Sequence, residues 1–202
     1  MLWVGLTGGI ASGKSTVSQI FKEAGAFIVD ADQIGHDLLA KDRPAYRPIL
    51  QAFGTKVLDD RGEIDRSQLG EIVFHNPKSM SLLNRIMHPL IFEVADLERT
   101  RIMIENPRAI IIFNAPLLIE TKAHEKMDLL IVVYLDRITQ IERLCLRDHL
   151  SSSDAQLRID MQMPLDQKVL LANELIDNRQ SMQDVREDVL QIYERLCVAT
   201  TA

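Results

Sequence analysis

Short apolar runs alternate with amphipathic segments along the chain, and this pattern predicts an α/β fold. Residues 2–6 (LWVGL) predict a buried strand, and a Gly-rich stretch then leads into a helix predicted at about 14–24 and ended by Gly25. Residues 27–30 (FIVD) predict a second strand, followed by a helix after Asp32. Because a crossover helix joins these two strands, we expect them to be parallel.

The rest of the chain continues this alternation around an inserted lobe. Further strands are predicted at 109–114, 129–135 and 174–177. Further helices are predicted near 66–75, 78–86, 89–105, 137–148 and after Ser181, which can cap the last one. A stretch rich in Pro, Gly and charge, about 42–65, carries turn signals around a short helix. We interpret it as part of a lobe inserted between the second and third strands.

Composition narrows the class of protein. Of the 202 residues, 47% are hydrophobic and 26% charged, which is typical of a globular domain rather than of disorder. The net charge of −6 argues against nucleic acid as a partner. No apolar run reaches the roughly 18 residues of a membrane span. The first strand begins at Leu2 and leaves no room for a signal peptide, so we expect a cytoplasmic protein with reduced thiols at Cys145 and Cys197.

The segment 8–15 (GGIASGKS) satisfies the phosphate-loop pattern G-x-x-x-x-G-K-[ST] between a predicted strand and a predicted helix. Gly8 and Gly13 permit backbone conformations in which successive N–H groups of 9–15 face phosphate oxygens. A Gly-rich turn that merely joins strand to helix is the alternative, but both flanks fit a nucleotide site. The residues predicted to bind ATP here are Gly9, Ala11, Ser12, Gly13, Lys14, Ser15 and Thr16.

Side chains in this loop suit ATP as its Mg²⁺ complex. Lys14 can reach the β- and γ-phosphates, the Ser15 hydroxyl can be a Mg²⁺ ligand, and Thr16 lies close to the α-phosphate. A guanine-reading N-K-x-D segment is absent from the sequence, and DDRG (59–62) lies in a charged turn, so a GTPase is disfavoured. A kinase for a small acceptor is the better interpretation.

Two further features suggest phosphoryl transfer. Asp30 and Asp32 end the second strand, and Asp32 could accept the proton of an attacking hydroxyl. The alternative for each is a helix cap or a solvated turn. Arg143 and Arg147 stand at i and i+4 on one helix, where they could clamp the transferring phosphoryl group. Surface pairing with Glu142 or Asp148 is the alternative for the arginines.

Several segments, in this order and spacing, resemble the dephospho-CoA kinase family. They are GLTGGIASGKST (5–16), DAD (30–32), IDRSQLGEIVF (64–74), HPLI (88–91), PLLIE (116–120), RLCLRD (143–148), RIDMQ (158–162) and IDN (176–178). The resemblance implies a P-loop fold in which a five-stranded parallel sheet has helices on both faces. It implies one domain over 1–202, with a helical CoA-binding insertion at about 33–105 and a lid at about 137–165.

The resemblance also implies a reaction and its residues. The reaction is ATP-dependent phosphorylation of the ribose 3′-hydroxyl of dephospho-CoA, the last step of CoA synthesis. Asp32 would be the base, Lys14, Arg143 and Arg147 the phosphoryl clamps, with Arg147 also on ATP, and Asn178 would lie beside adenine. The implied acceptor residues are Thr7, Asp32, Arg66, His88, Leu117 and Glu120.

Some alternatives stay open at this point. Leu117 could be core, Arg66 could pair with Asp65, and His88 could simply be held extended before Pro89 at a helix start. Asn114 and Asn173 stand where relatives often carry Asp, which would matter if either helped to hold Mg²⁺ or a clamp arginine. The alternative functions are another P-loop kinase for a metabolite or nucleoside, or a nucleotide-operated switch or ATPase.

Overall fold

The computed structural model describes residues 1–74 and 76–200. The chain divides into two compact units, one formed by residues 1–29 and 99–202 and the other by residues 30–98. The predicted insertion, about 33–105, overlaps the second unit. Residue 75, the last of the predicted helix 66–75, lies outside the described residues.

A parallel sheet of five strands, in the order β2-β3-β1-β4-β5, organises the first unit. The strands are β1 (Leu2–Gly8), β2 (Phe27–Asp30), β3 (Ile110–Asn114), β4 (Leu129–Tyr134) and β5 (Glu174–Asp177). Because the central strand β1 lies between β3 and β4, the residues that follow these three strands share one edge of the sheet. This edge is where ligands bind in open parallel sheets.

Within residues 1–74 and 76–200 there are nine α-helices, beside two short 3₁₀ helices at Thr55–Val57 and Ala123–Lys126. The α-helices are α1 (Lys14–Ala24), α2 (Ala31–Leu39), α3 (Tyr46–Phe53), α4 (Arg66–Phe74), α5 (Pro77–Glu105), α6 (Arg137–Asp148), α7 (Ser152–Asp160), α8 (Leu165–Val169) and α9 (Met182–Ala199). Gly25 ends α1 in a left-handed conformation, and the Ser181 hydroxyl caps α9 by accepting from the N–H of Asp184, both as predicted.

Each unit has its own apolar core. In the first unit α1 and α9 pack together and cover β1, β3, β4 and β5. The buried residues there are mainly β-branched, as expected for strands hidden by helices. In residues 30–98 a separate cluster is built around Leu38, Ile49, Phe53, Leu69 and Met87. The helical lobe therefore does not rely on the sheet for its core.

The strands were predicted to within two residues, and the α/β P-loop fold class is confirmed. The prediction of separate helices at 78–86 and 89–105 was wrong, because α5 runs unbroken for 29 residues with Pro89 inside it. A proline costs a helix one hydrogen bond and a steric clash. Met87 is buried and Leu90, Ile91 and Val94 are partly buried in the same cluster, so one continuous apolar stripe favours an uninterrupted helix.

Helices α7 and α8 were not assigned from the sequence. Both lie in the segment expected to form the lid, and their apolar residues are few: Ala155 and Ile159 are buried in α7, and Leu165 in α8. Such short helices give little periodic signal. Among the helices of the described residues, none combines the length and apolar character needed to cross a membrane.

Candidate active site

The phosphate loop connects β1 to α1 and takes a strained backbone path. Ala11 has φ of 60° and Gly13 has φ of 92°, both in the left-handed region. A Cβ on Gly13 would overlap the side-chain amide of Asn178, and a Cβ on Gly8 would lie 2.8 Å from the carbonyl oxygen of Val133. Neither glycine can be replaced without moving its surroundings.

Backbone donors in the loop fall into two groups. The N–H of Ser12 donates to the carbonyl of Gly9 at 3.1 Å, and the N–H of Ile10 donates to Gln162 Oε1 at 2.9 Å. Within the part of the chain that the structure describes, the N–H groups of Ala11, Gly13 and Ser15 have no acceptor. The expectation that every N–H of 9–15 is available to phosphate was therefore wrong for positions 10 and 12.

Asn178, which directly follows β5, contacts the phosphate loop. Asn178 is 6% exposed, and its Nδ2 donates to the carbonyl of Ser12 at 2.7 Å. The backbone carbonyl of Asn178 accepts from Arg143 Nη2 at 3.5 Å. The amide of Asn178 is thus committed to the loop, and the adenine contact implied by the resemblance stays a prediction.

The second predicted clamp arginine has an ion-pair partner. Arg147 Nε lies 2.7 Å from Asp148 Oδ1, and Arg158 Nη1 lies 3.2 Å from the other oxygen of this carboxylate. The Arg147 guanidinium holds the pKa of Asp148 below its ordinary value. The Arg147 side chain remains 58% exposed. Contact of Arg147 with a transferring phosphoryl group stays a prediction.

A buried lysine beside the segment 116–120 was missed from the sequence. Lys168 has no exposed surface, and its Nζ lies 2.8 Å from both Glu120 Oε1 and the carbonyl of Pro116. Burial lowers the pKa of Lys168, and Glu120 opposes this shift. The same Glu120 oxygen accepts from the N–H of Met163, and the Thr7 hydroxyl donates to Pro116. A lysine in a short helix carries no sequence signal for such burial.

Thr7, Leu117 and Glu120, all predicted to meet the acceptor, belong to this neighbourhood. Thr7 is fully buried, whereas Leu117 is partly exposed and is not a core residue like Leu118 beside it. The second oxygen of Glu120, Oε2, is buried with no hydrogen-bond partner among the described residues. Contact of these residues with an acceptor stays a prediction.

Residues 30–98 carry the remaining predicted acceptor residues. Asp30 caps α2 by accepting from the N–H of Gln33 at 3.0 Å, and Asp32 is exposed in the first turn of this helix. Arg66 begins α4 and is exposed, and Asp65 accepts hydrogen bonds from Ser67 and Gln68. His88 lies inside α5, where burial lowers its pKa. The alternative of an extended His88 at a helix start was wrong, and contact of His88 with an acceptor stays a prediction.

Asn114 and Asn173, the two positions singled out in the sequence, lie at opposite ends of strands. Asn114 is the buried last residue of β3 and is in register with Leu6, just before the phosphate loop. The Oδ1 of Asn173 accepts from the N–H of Leu130 near the start of β4. Asn173 therefore stabilises the opposite edge of the sheet, and only Asn114 stands near the loop.

The donor set for a metal ion is sparse. Across residues 1–74 and 76–200, no group of three or more His, Cys, Asp or Glu side chains is arranged to hold one. Ser15 is exposed in the first turn of α1 and offers one hydroxyl. Mg²⁺ commonly takes one or two protein ligands and fills its shell with water and substrate phosphates. The residues therefore fit a metal that arrives with its nucleotide.

Comparison with known proteins identifies the family. The profile of the family described as dephospho-CoA kinase matches residues 2–184. The chain belongs to the dephospho-CoA kinase family. The chain is 43% identical over 194 residues to the dephospho-CoA kinase of Carboxydothermus hydrogenoformans, a match that covers 95% of this chain and 93% of the relative. It is 44% identical to a dephospho-CoA kinase domain-containing protein of Danio rerio over 97% of this chain and 86% of the relative.

Solved structures agree with this family assignment. A dephospho-CoA kinase from Campylobacter jejuni is similar at a TM-score of 0.69 and 30% identity, covering 97% of both chains. A shikimate kinase from Bacteroides thetaiotaomicron, at 12% identity and a TM-score of 0.53, shares the fold alone. The predicted family and the prediction of an enzyme of the transferase class are confirmed.

Proposed function

We propose that this chain transfers the γ-phosphoryl group of ATP to the ribose 3′-hydroxyl of dephospho-CoA, giving CoA and ADP. The observation that carries the proposal is the dephospho-CoA kinase family match over residues 2–184, a stretch that includes the intact phosphate loop. The reaction is one of positioning and electrostatic stabilisation, since the protein forms no covalent bond in it.

ATP enters as its Mg²⁺ complex, with Ser15 as the proposed protein ligand of the metal. The N–H groups of Ala11, Gly13 and Ser15 meet phosphate oxygens at the positive end of α1. Lys14, Arg143 and Arg147 offset the charge that spreads over the γ-phosphoryl oxygens during transfer. Gly9, Ser12 and Thr16 complete the proposed phosphate contacts, and Asn178 lies beside adenine.

Asp32 is the proposed general base. It accepts the proton of the 3′-hydroxyl while the hydroxyl oxygen attacks the γ-phosphorus. The new O–P bond forms as the bond from the γ-phosphorus to the bridging oxygen breaks, and ADP keeps that electron pair. The proposal for the acceptor pocket includes Thr7, Arg66, His88, Leu117 and Glu120. Asp32 is exposed, which leaves its carboxylate accessible to a substrate.

Location in the cytoplasm is part of the proposal. Both cysteines, Cys145 and Cys197, are free thiols, which fits a reducing compartment.

An acceptor panel tests the function. The purified protein is incubated with Mg-ATP and, separately, with dephospho-CoA, adenosine or shikimate, and the products are identified by mass spectrometry. CoA from dephospho-CoA alone is the expected result. Phosphorylation of another acceptor in preference to dephospho-CoA, or ATP hydrolysis at equal rates with and without an acceptor, would contradict the proposal.

A further inference from the structure

The tip of the phosphate loop, Ile10, is held at both of its peptide groups by side chains from distant parts of the chain. Gln140 Nε2 donates to the carbonyl of Ile10 at 2.8 Å, and Gln162 Oε1 accepts from the N–H of Ile10 at 2.9 Å. Gln140 lies on α6 and is 4% exposed, and Gln162 follows α7. The two amides come from different segments of the chain and bind the donor and the acceptor of the same loop residue.

Apolar packing supports the same attachment. Ile10 and Ala11 pack against a buried cluster formed by Leu144 of α6 with Ala155 and Ile159 of α7. The loop also lies close to α6 and α8 at Gly9, since a Cβ there would overlap Gln140 Nε2 and lie 3.2 Å from the Leu165 side chain of α8. The loop tip is therefore seated on α6 and α7 by two hydrogen bonds and an apolar contact.

Helix α6 connects the attached loop tip to the predicted clamp arginines, Arg143 and Arg147. Gln140 precedes Arg143 by three residues and Arg147 by seven, so the three side chains lie along one stripe of the helix. The hydrogen bond from Gln140 therefore joins the loop tip to the helix that carries both arginines.

We propose that Gln140 and Gln162 are positioning residues for phosphoryl transfer. They hold Ile10 so that the N–H groups of Ala11 and Gly13 face the phosphates, and they couple the loop to the helix that carries the arginines. The inference rests on the proposed function, because its effect on transfer requires an ATP-dependent kinase. It gives a role to RIDMQ (158–162), whose last residue is Gln162.

The test compares Gln140→Leu and Gln162→Leu with the control Gln156→Leu. Gln156 is an exposed residue of α7 whose Nε2 donates to the Ser152 hydroxyl at 3.3 Å. Binding is measured with a fluorescent ATP analogue, and steady-state kinetics are measured with both substrates. We expect each loop-side variant to raise the Kd for the analogue and the KM for ATP about three- to tenfold, the effect of one neutral hydrogen bond. The KM for dephospho-CoA should stay unchanged in these two variants. The Gln156→Leu control should match wild type in the Kd for the analogue and in both KM values.

A second pair of variants separates hydrogen bonding from size. Gln162→Glu keeps an acceptor for the Ile10 N–H, whereas Gln140→Glu replaces a donor by a carboxylate facing the Ile10 carbonyl. We expect Gln140→Glu to bind the ATP analogue about three- to tenfold more weakly than Gln162→Glu. The comparison of the two glutamate variants tests the inference even if a leucine variant fails to fold.

Two results would overturn the inference: Kd values of both leucine variants within about twofold of wild type with only a lower Tm, or equal Kd values for the two glutamate variants. Both of these results can be distinguished from a failure of the proposed function. A wild-type protein that makes no CoA would refute the acceptor assignment, while binding of the ATP analogue would still report on the two glutamines.

Discussion

The predicted ATP-side residues and the predicted acceptor-side residues of 30–98 differ in what holds them. The phosphate loop is a backbone structure kept in place by nearly buried side chains, Gln140 at 4% and Asn178 at 6% exposure. Asp32 and Arg66 are exposed, and His88 is partly buried inside a helix. The ATP side is therefore pre-organised by the fold, whereas the acceptor side depends on individual side chains. Substitutions of ATP-side residues and of acceptor-side residues should therefore have different effects.

The largest expected effect is on the acceptor side. We predict that Asp32→Asn lowers kcat by about 10²–10⁴-fold, the usual contribution of a general base, and leaves the Kd for ATP nearly unchanged. The control is Asp37→Asn, which removes a charge from the same helix where Asp37 accepts from Gln33 at 2.9 Å. Single-turnover kinetics and calorimetric ATP binding measure both. Wild-type kcat in Asp32→Asn would exclude the base role.

Arg147→Ala should have the next largest effect, on the ATP side. Loss of one charged donor to the transferring group should raise the transfer barrier by about 2.7–4 kcal/mol, the cost of removing one oxyanion-hole donor. Arg137→Ala is the matched control, since it removes an exposed ion pair with Asp160 from the same helix. The measurement is kcat at saturating substrates. A lower Tm with unchanged kcat would instead mean that Arg147 only pairs with Asp148.

Lys168→Met should lower the free energy of unfolding. Removing one partner of a buried ion pair leaves the other charge uncompensated, which costs about 3–5 kcal/mol. We expect a loss of unfolding free energy of about this size, because Glu120 Oε1 loses its ion pair and Oε2 is already buried with no hydrogen-bond partner among the described residues. Urea denaturation measures it. The double variant Lys168→Met with Glu120→Gln should recover part of the loss, and no recovery would show that packing, not charge, sets the cost.

His88 should give the smallest effect, a pH dependence of stability. Burial lowers its pKa, so below about pH 6.5, the ordinary pKa of histidine, the unfolded chain binds more protons than the folded one. The unfolding free energy therefore falls as the pH drops through that value, and the contribution is fully present above it. Denaturation of wild type and His88→Gln between about pH 5 and 8 tests this. Parallel curves would refute the contribution of His88.

What the sequence reveals depends on how local the signal is. The phosphate loop, the capped helix after Ser181 and helix 137–148 were all predicted, because glycine spacing, a cap and an apolar stripe are signals within a few residues. The supports of the loop were not, since Gln140 and Gln162 stand 130 and 152 residues from Ile10. Burial of Lys168 was missed for the same reason. No local pattern distinguishes Gln140 or Lys168 from surface positions, and RIDMQ (158–162) marks Gln162 only as part of a family resemblance, without its partner Ile10.

Transfer of label from γ-labelled ATP tests the central claim most directly. The protein is incubated with labelled Mg-ATP and dephospho-CoA, and the product is digested with a 3′-nucleotidase, a phosphatase specific for ribose 3′-phosphates. We expect the label to enter CoA in proportion to the ADP formed, and the digestion to release it as phosphate. Label found as free phosphate before digestion, or bound at another position of the product, would contradict the proposal.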